Sequence, residues 1–491
     1  MIDKTGRTGK AGRMGGIMLA GCLLLGTGTL HAQELDRTLK PAAGPTPAVR
    51  APKVVQRTLP NGLQLWVVTD RELPAINAQL VIRAGAAQDG STPGVASVTA
   101  GLLDEGSTIR SATAFAAAAD KLGISLRASA GDEQTDVSLA TLARTADSAF
   151  ALMGELVTRP AFVAEEIERD RKTRLQSLAQ QKDQPTIIAS QTFDRLVYGE
   201  DHPYGHPGDG TIESITALSR DDITGFYRQF YLPNNAVLVV VGDVTPDQAA
   251  HFASVAFAGW KRGAVPAAAT AAPAAPPARN IGVFLVDKPG AAQSEIRIGH
   301  SGATRQSPDY YPLTVLNAIL GGQFTSRINL NLREAKGYTY GARSSWSFER
   351  GAGPFTASAG VFTAKTDSSL IEFMRELKDI GTSRPATAAE VDFAKGALIR
   401  SYPRRIETDA GVASQLADLA FFGLPPGELT DFVTKTEAVT TADVNRVARS
   451  ELHPDRFTIV VVGDLAKIQP GITALNLGPV TVLGPDGRPI S

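Results

Sequence analysis

Cysteine is nearly absent from this chain of 491 residues. Cys22 stands alone, so no intrachain disulfide can form and no thiol pair can hold a metal. Histidine is scarce as well, six in all, which confines imidazole–metal chemistry to a few places. Aromatic residues make up 6%, so the cores must be built on Ala, Leu and Val. Neither sign of charge dominates: 49 Lys and Arg against 50 Asp and Glu leave a net of −1. That balance offers no basic field for nucleic acid. Past the first 30 or so residues, no apolar run is long enough to span a membrane.

The N-terminus has the pattern of an export signal. Lys4, Arg7, Lys10 and Arg13 form a basic segment, residues 15–30 an apolar one, and Leu30-His31-Ala32 a cleavage site before Gln33. Residues 1–32 are therefore expected to be a signal peptide, and the mature protein to be periplasmic. Leu19-Ala20-Gly21-Cys22 resembles a lipoprotein box, a competing reading in which Cys22 is lipidated. The apolar run continues through Leu25, which argues against it. Cleavage after Ala32 removes the one cysteine and leaves no thiol chemistry. Residues 33–53 are rich in Pro and Ala and read as a disordered lead-in.

Order is expected from Val54. Strands at 54–59 and 63–68 flank a Pro60-Asn61-Gly62 turn, and 75–84 is a third strand. Thr92-Pro93-Gly94 opens a short helix over 95–103. Further helices are expected at 114–122, 143–158 and 164–181, with a strand pair at 125–130 and 135–140. A helix starting at Ser219 leads to a continuous apolar strand ending Val-Val-Gly-Asp at 240–243. About 220 residues later, a helix starting at Thr440 leads to the same ending at 461–464. Between the two lies an Ala/Pro tract, 263–279, stiffened by proline and expected to bury no core. The repeat implies two duplicated α/β domains of the α+β class, 54–262 and 281–477. A linker at 263–280 joins them, and 478–491 is a tail.

The stretch 324–340 draws attention on its own. An amphipathic run over 324–335 predicts a helix ending at Lys336-Gly337, with glycine in the left-handed position. A strand over 338–348 follows. Arg333 then leaves the last helical turn and Tyr340 sits early on the strand, so a cation and a phenol can converge. The plainer reading is that Arg333 caps its own helix and Tyr340 packs in the sheet. Tyr338, two residues earlier, would share the face of Tyr340.

Other candidates have bland readings beside them. His202 and His206 are four apart, but Pro203 and Pro207 break any helix, so a rigid loop competes with a metal pair. His251, His300 and His453 are isolated in the sequence. Glu165, Glu166 and Glu168 open a helix, where carboxylates offset the dipole. Gly321-Gly322 precedes the amphipathic run without the Lys-Ser/Thr of a phosphate loop, leaving a tight turn or a glycine wall against substrate. No Ser/His/Asp constellation stands out.

Several stretches together resemble the pitrilysin/insulinase-like zinc peptidases, the inverzincins. They are Leu-Pro-Asn-Gly at 59–62, Gly94-Val95-Ala96, His202-Pro203-Tyr204-Gly205, the segment 231–243, Gly321-Gly322 with Ser326-Arg327, and 333–340. The family's zinc motif is H-x-x-E-H on the helix after Gly-x-Ala, two imidazoles holding the metal and the glutamate activating water. At the matching positions stand Ser97, Ala100 and Gly101. The family's third ligand, a glutamate farther along, falls at Ser177 or its neighbour Gln176. A catalytic zinc needs three protein ligands, so the resemblance implies a vacated site and no metal bound by this chain. It also implies that Arg333 and Tyr340 are the family's pair for substrate carbonyl or oxyanion. Some bacterial members are heterodimers, one chain carrying zinc and the other the Arg/Tyr pair. The expectation is therefore a non-zinc subunit whose partner is a homologous H-x-x-E-H chain holding the zinc, with a peptide as substrate. A catalytically inert structural or peptide-binding member is the competing reading.

Overall fold

The computed structural model describes Gly44 and residues 52–277, 279–488 and 490. The expected signal peptide and nearly all of the lead-in lie outside them. Six strands form the first sheet: β1 (Val54–Thr58), β2 (Gln64–Thr69), β3 (Ala75–Ile82), β4 (Ser125–Ala130), β5 (Thr135–Leu142) and β6 (Ala236–Gly242). Their order is β1-β2-β6-β3-β5-β4. The second sheet holds β7 (Gly282–Asp287), β8 (Gln293–Ser301), β9 (Thr339–Trp346), β10 (Pro354–Phe362), β11 (Thr458–Gly463) and β12 (Val480–Leu483). Its order is β12-β7-β11-β8-β10-β9.

The repetition read from the Val-Val-Gly-Asp endings is thus a repetition of topology. β6 runs parallel to β2 and antiparallel to β3; β11 runs parallel to β7 and antiparallel to β8. Only the outermost strands beside β2 and β7 break the match. β1 precedes its sheet and pairs antiparallel, whereas β12 comes from the end of the chain and pairs parallel. Residues 478–491, expected to be a tail, therefore supply a strand.

β6 and β11 read as unbroken apolar runs because both of their faces are covered. Ala236, Leu238 and Val240 face a core shared with the helices of their own lobe. Val237, Val239 and Val241 face Leu416, Ala417 and Ala420 on the helix Asp409–Phe421, which belongs to the other half of the chain. The second sheet reciprocates. Ile459 and Val461 face their own lobe, while Val460 and Val462 meet Ile188, Ala189, Phe193 and Val197 of the helix Pro185–Tyr198. Each half of the chain thus lends one helix to the sheet of the other. Fully burying a side chain of this size contributes about 1.5–3 kcal/mol, so the exchange joins the lobes firmly.

The Ala/Pro tract departs from expectation. Ala267–Thr270 is one helical turn, and Ala269 is wholly buried in the first core. Gln88 Nε2 donates to the Ala268 carbonyl at 3.1 Å, and Arg350 Nη1 to that of Ala269 at 2.9 Å. The segment is pinned against both lobes, because alanine needs little room to enter a core. Near it, the hairpin tip between β4 and β5 meets the one between β9 and β10. Glu133 accepts from Tyr204 Oη at 2.7 Å and from the Arg350 N–H at 2.8 Å. Burial, then the charges of Glu133 and Asp132, hold the Glu349 carboxyl well above the usual range.

Candidate functional site

The helix matching the zinc motif spans Val95–Gly101 and packs against the edge strand β4 and the helix Arg220–Phe230. Pro93 lies just before it, and Gly94 at its N-cap takes φ +93°, a left-handed value suited to glycine. Capping comes from a residue the sequence reading passed over. Asp89 accepts from the Gly94 N–H at 2.6 Å and the Ala96 N–H at 2.9 Å. Burial pushes its carboxyl up to about 7, and those two bonds pull the other way.

The space beside Ser97, Ala100 and Gly101 holds a cation of the chain's own. Arg174 comes from the helix Ala164–Gln181. Its Nη1 donates to Ser97 Oγ at 2.8 Å and its Nη2 to the Ser97 carbonyl at 3.0 Å. Nε donates to Asp170 Oδ2 at 2.6 Å, one turn back on the same helix. A side chain begun at Gly101 would meet Arg174 Nη2 at 2.8 Å. Ser177, the expected third-ligand position, is exposed on that helix, as is Gln176. A guanidinium, a hydroxyl and a carbonyl do not fit a zinc ion. The guanidinium joins the two helices on which the zinc-motif positions are expected. Among the described residues, no group of three or more His, Cys, Asp and Glu is arranged to hold a metal.

Arg333 lies in a widened turn. Helical structure starts at Arg327, not at 324, and Leu330–Ala335 is π-wound. The Lys336 N–H reaches the Asn331 carbonyl at 3.0 Å, and that of Tyr338 the Leu332 carbonyl at 2.8 Å. Such single π turns recur at functional sites because they re-aim side chains. Gly337 has φ +64°, the left-handed end expected of it. The Arg333 guanidinium lies 4.7 Å from the Phe324 ring and 3.2 Å from Glu334 Oε1. Tyr340 is 77% exposed on the edge strand β9, its ring 6.0 Å from that of Phe362. No hydrogen bond links Arg333 to Tyr340. Tyr338 stands before the strand, not on it, with Lys365 Nζ 5.7 Å from its ring. It therefore does not share a strand face with Tyr340.

The remaining candidates divide clearly. Gly321 is buried, and a side chain there would meet Ser344 N at 2.2 Å, so close packing on β9 requires glycine. Gly322 is exposed beside Asn317. His202 is engaged on both nitrogens, by the Tyr204 N–H at 3.0 Å and the Ala274 carbonyl at 2.8 Å, and serves its loop. Glu166 and Glu168 pair with Arg169 and Arg171 on their own helix. His300 and His453, isolated in sequence, are neighbours in space with rings 5.4 Å apart.

Two lobes of one topology, joined as one body and each a six-stranded sheet packed with helices, define a duplicated, pitrilysin-like two-domain fold. The family models agree. Residues 67–199 match the insulinase family, peptidase family M16, and residues 217–398 match the peptidase M16 inactive domain. The chain belongs to peptidase family M16. An uncharacterized zinc protease of Mycobacterium leprae is 27% identical over 85% of this chain and 94% of its own length. Among solved structures, a peptidase M16 inactive domain from Pseudomonas fluorescens is 28% identical. It covers 84% of this chain and 98% of its own, with a TM-score of 0.79. A protease from Helicobacter pylori superposes with a TM-score of 0.78 at 22% identity, covering 84% of this chain and 99% of its own.

Proposed function

We propose that this chain is the zinc-free subunit of an exported, periplasmic heterodimeric metalloendopeptidase, and that its partner is a homologous chain carrying H-x-x-E-H and the zinc. The observation that carries the reading is a contrast within one chain. The helix Val95–Gly101 is held to Arg174 by two hydrogen bonds at Ser97, whereas Tyr340 stands 77% exposed and Arg333 is partly open.

In this reading Arg333 and Tyr340 act on a peptide held against the partner. Attack on an amide places negative charge on the carbonyl oxygen. A guanidinium keeps its proton throughout, and a phenol donates one hydrogen bond. A preorganised donor at that oxygen contributes about 10²–10³ in rate. The partner's zinc supplies the activated water; Arg333 and Tyr340 bind and orient the substrate carbonyl.

The second reading is an inert, peptide-binding member. It is favoured by the engagement of Arg333 with Phe324 and Glu334. Reconstitution separates the two. The purified chain is mixed with its zinc-carrying partner and assayed on a quenched peptide. Activity is expected only in the mixture, and Arg333→Ala or Tyr340→Phe should lower it without weakening association. A partner fully active alone, or a mixture indifferent to both substitutions, leaves the inert reading standing.

A further inference from the structure

A second site lies away from the metal helix, where the Ala/Pro segment crosses the second lobe. A cavity of about 200 Å³ is lined by Val197, Pro277, Arg279, His300, His453 and Arg456, among others. His300 forms its floor. The ring is stacked on Phe457, centroids 5.7 Å apart and planes within 9°. Its Nδ1 lies 2.7 Å from the Ser301 carbonyl. A carbonyl only accepts, so Nδ1 carries the proton and Nε2 presents a lone pair. Nε2 is buried and has no hydrogen-bond partner among the described residues. His300 is 7% exposed, and burial, with His453 and Arg456 nearby, pulls its pKa down to about 4. An unpartnered buried acceptor on a residue that lines the cavity calls for a donor.

The walls say what carries that donor. Arg279 makes no ion pair or hydrogen bond among the described residues. Arg456 has only Asp455, at 4.0 Å. No carboxylate lines the cavity. The His453 ring, 5.4 Å from that of His300, forms no hydrogen bond among the described residues. Two imidazoles alone would suit a transition metal, but two guanidiniums and no carboxylate oppose a cation. We propose that this cavity binds a small oxyanion that still carries a proton, of the phosphate class. Its O–H donates to His300 Nε2, and its charged oxygens meet Arg279, Arg456 and His453. Guanidinium–phosphate contacts are charge-assisted and directional. The open acceptor on His300 sets the preference, since hydrogen phosphate has a proton to give and sulfate at neutral pH has none.

The site is independent of the proposed peptidase role and is tested on the full chain alone. Calorimetric titration with inorganic phosphate should give binding at one site, and sulfate should bind at least about tenfold more weakly. Arg279→Ala/Arg456→Ala should weaken phosphate at least about tenfold with the melting temperature unchanged, since both side chains are exposed. His300→Phe, which keeps a ring on Phe457 but removes the acceptor, should erase the preference over sulfate. Glycerol 3-phosphate in a parallel arm at about pH 5.5, where a monoester and the free ion both keep a proton, distinguishes sources: tighter binding than inorganic phosphate points to a phosphomonoester, weaker binding to the free ion, and both support the site. Three results overturn it: no heat with phosphate, equal affinity for phosphate and sulfate, or zinc binding that His453→Ala abolishes in a chain indifferent to phosphate.

Discussion

Replacing Arg174 by alanine removes the cation that ties the helix Val95–Gly101 to the helix Ala164–Gln181. Three hydrogen bonds go with it, at 2.8 and 3.0 Å to Ser97 and 2.6 Å to Asp170, from a side chain only 19% exposed. A hydrogen bond to a charged group contributes about 1.5–3 kcal/mol. The three share one guanidinium and do not add, and the Asp170 pair, one helical turn apart and part-exposed, supplies only about 0.3–0.5. The expected loss is about 2–4 kcal/mol. With an m value of about 4 kcal/mol/M, this lowers the urea midpoint by about 0.5–1 M at unchanged slope. Ser97→Ala removes the 2.8 Å bond from Arg174 and a long 3.4 Å bond to Asp209 but leaves the carbonyl in place, so it should cost less than Arg174→Ala. A second arm asks whether the guanidinium excludes the metal. Ser97→His, Ala100→Glu, Gly101→His and Ser177→Glu restore the ligand types and the base. Those four changes alone should bind no zinc by titration, because Arg174 Nη2 sits 2.8 Å from the new side chain at 101. Adding Arg174→Ala should allow binding. An unchanged urea midpoint for Arg174→Ala, or zinc held equally well with the arginine present, would refute the reasoning.

Three further outcomes are expected. Phe193→Ala empties a fully packed position beneath the second sheet and should cost about 3–5 kcal/mol by chemical denaturation. Gly321→Ala drives a methyl into the backbone at Ser344 and should cost about 1–3 kcal/mol; a neutral result would mean β9 yields there. Glu349 has a folded pKa raised by burial and by Glu133 and Asp132, so the native state binds the extra proton. Its contribution is fully present below the ordinary glutamate range and is lost as pH rises through the raised value. Urea midpoints should fall with pH in that window, and Glu349→Gln should flatten the fall.

Much of the fold was legible because it lies in local pattern. The paired Val-Val-Gly-Asp endings, the Ser219 and Thr440 caps and the turn at Gly337 describe short-range geometry that the structure repeats. What escaped depends on distant partners. Continuous apolar runs at β6 and β11 announced strands covered twice, but not that the second cover crosses from the other half of the chain. That Ser97, Ala100 and Gly101 carry no zinc-ligand side chain could be read directly, whereas Arg174 looked like one more charge on a polar helix. Only its i,i+4 spacing from Asp170 hinted that it was held in place. Asp89 as a cap and the pairing of His300 with His453 join residues that spacing could not connect.

The exchange of helices between the sheets means that no cut in the chain separates two self-sufficient pieces. A fragment ending at 262 would keep the helix Pro185–Tyr198 with nothing to cover and would bare the odd-numbered valines of β6. The complementary fragment would fail in the mirror sense. Two sheets of distinct sequence should therefore melt as one cooperative unit. The two halves of the chain should then not open against each other; in the proposed heterodimer a peptide would enter by movement between whole chains, with the partner as the door.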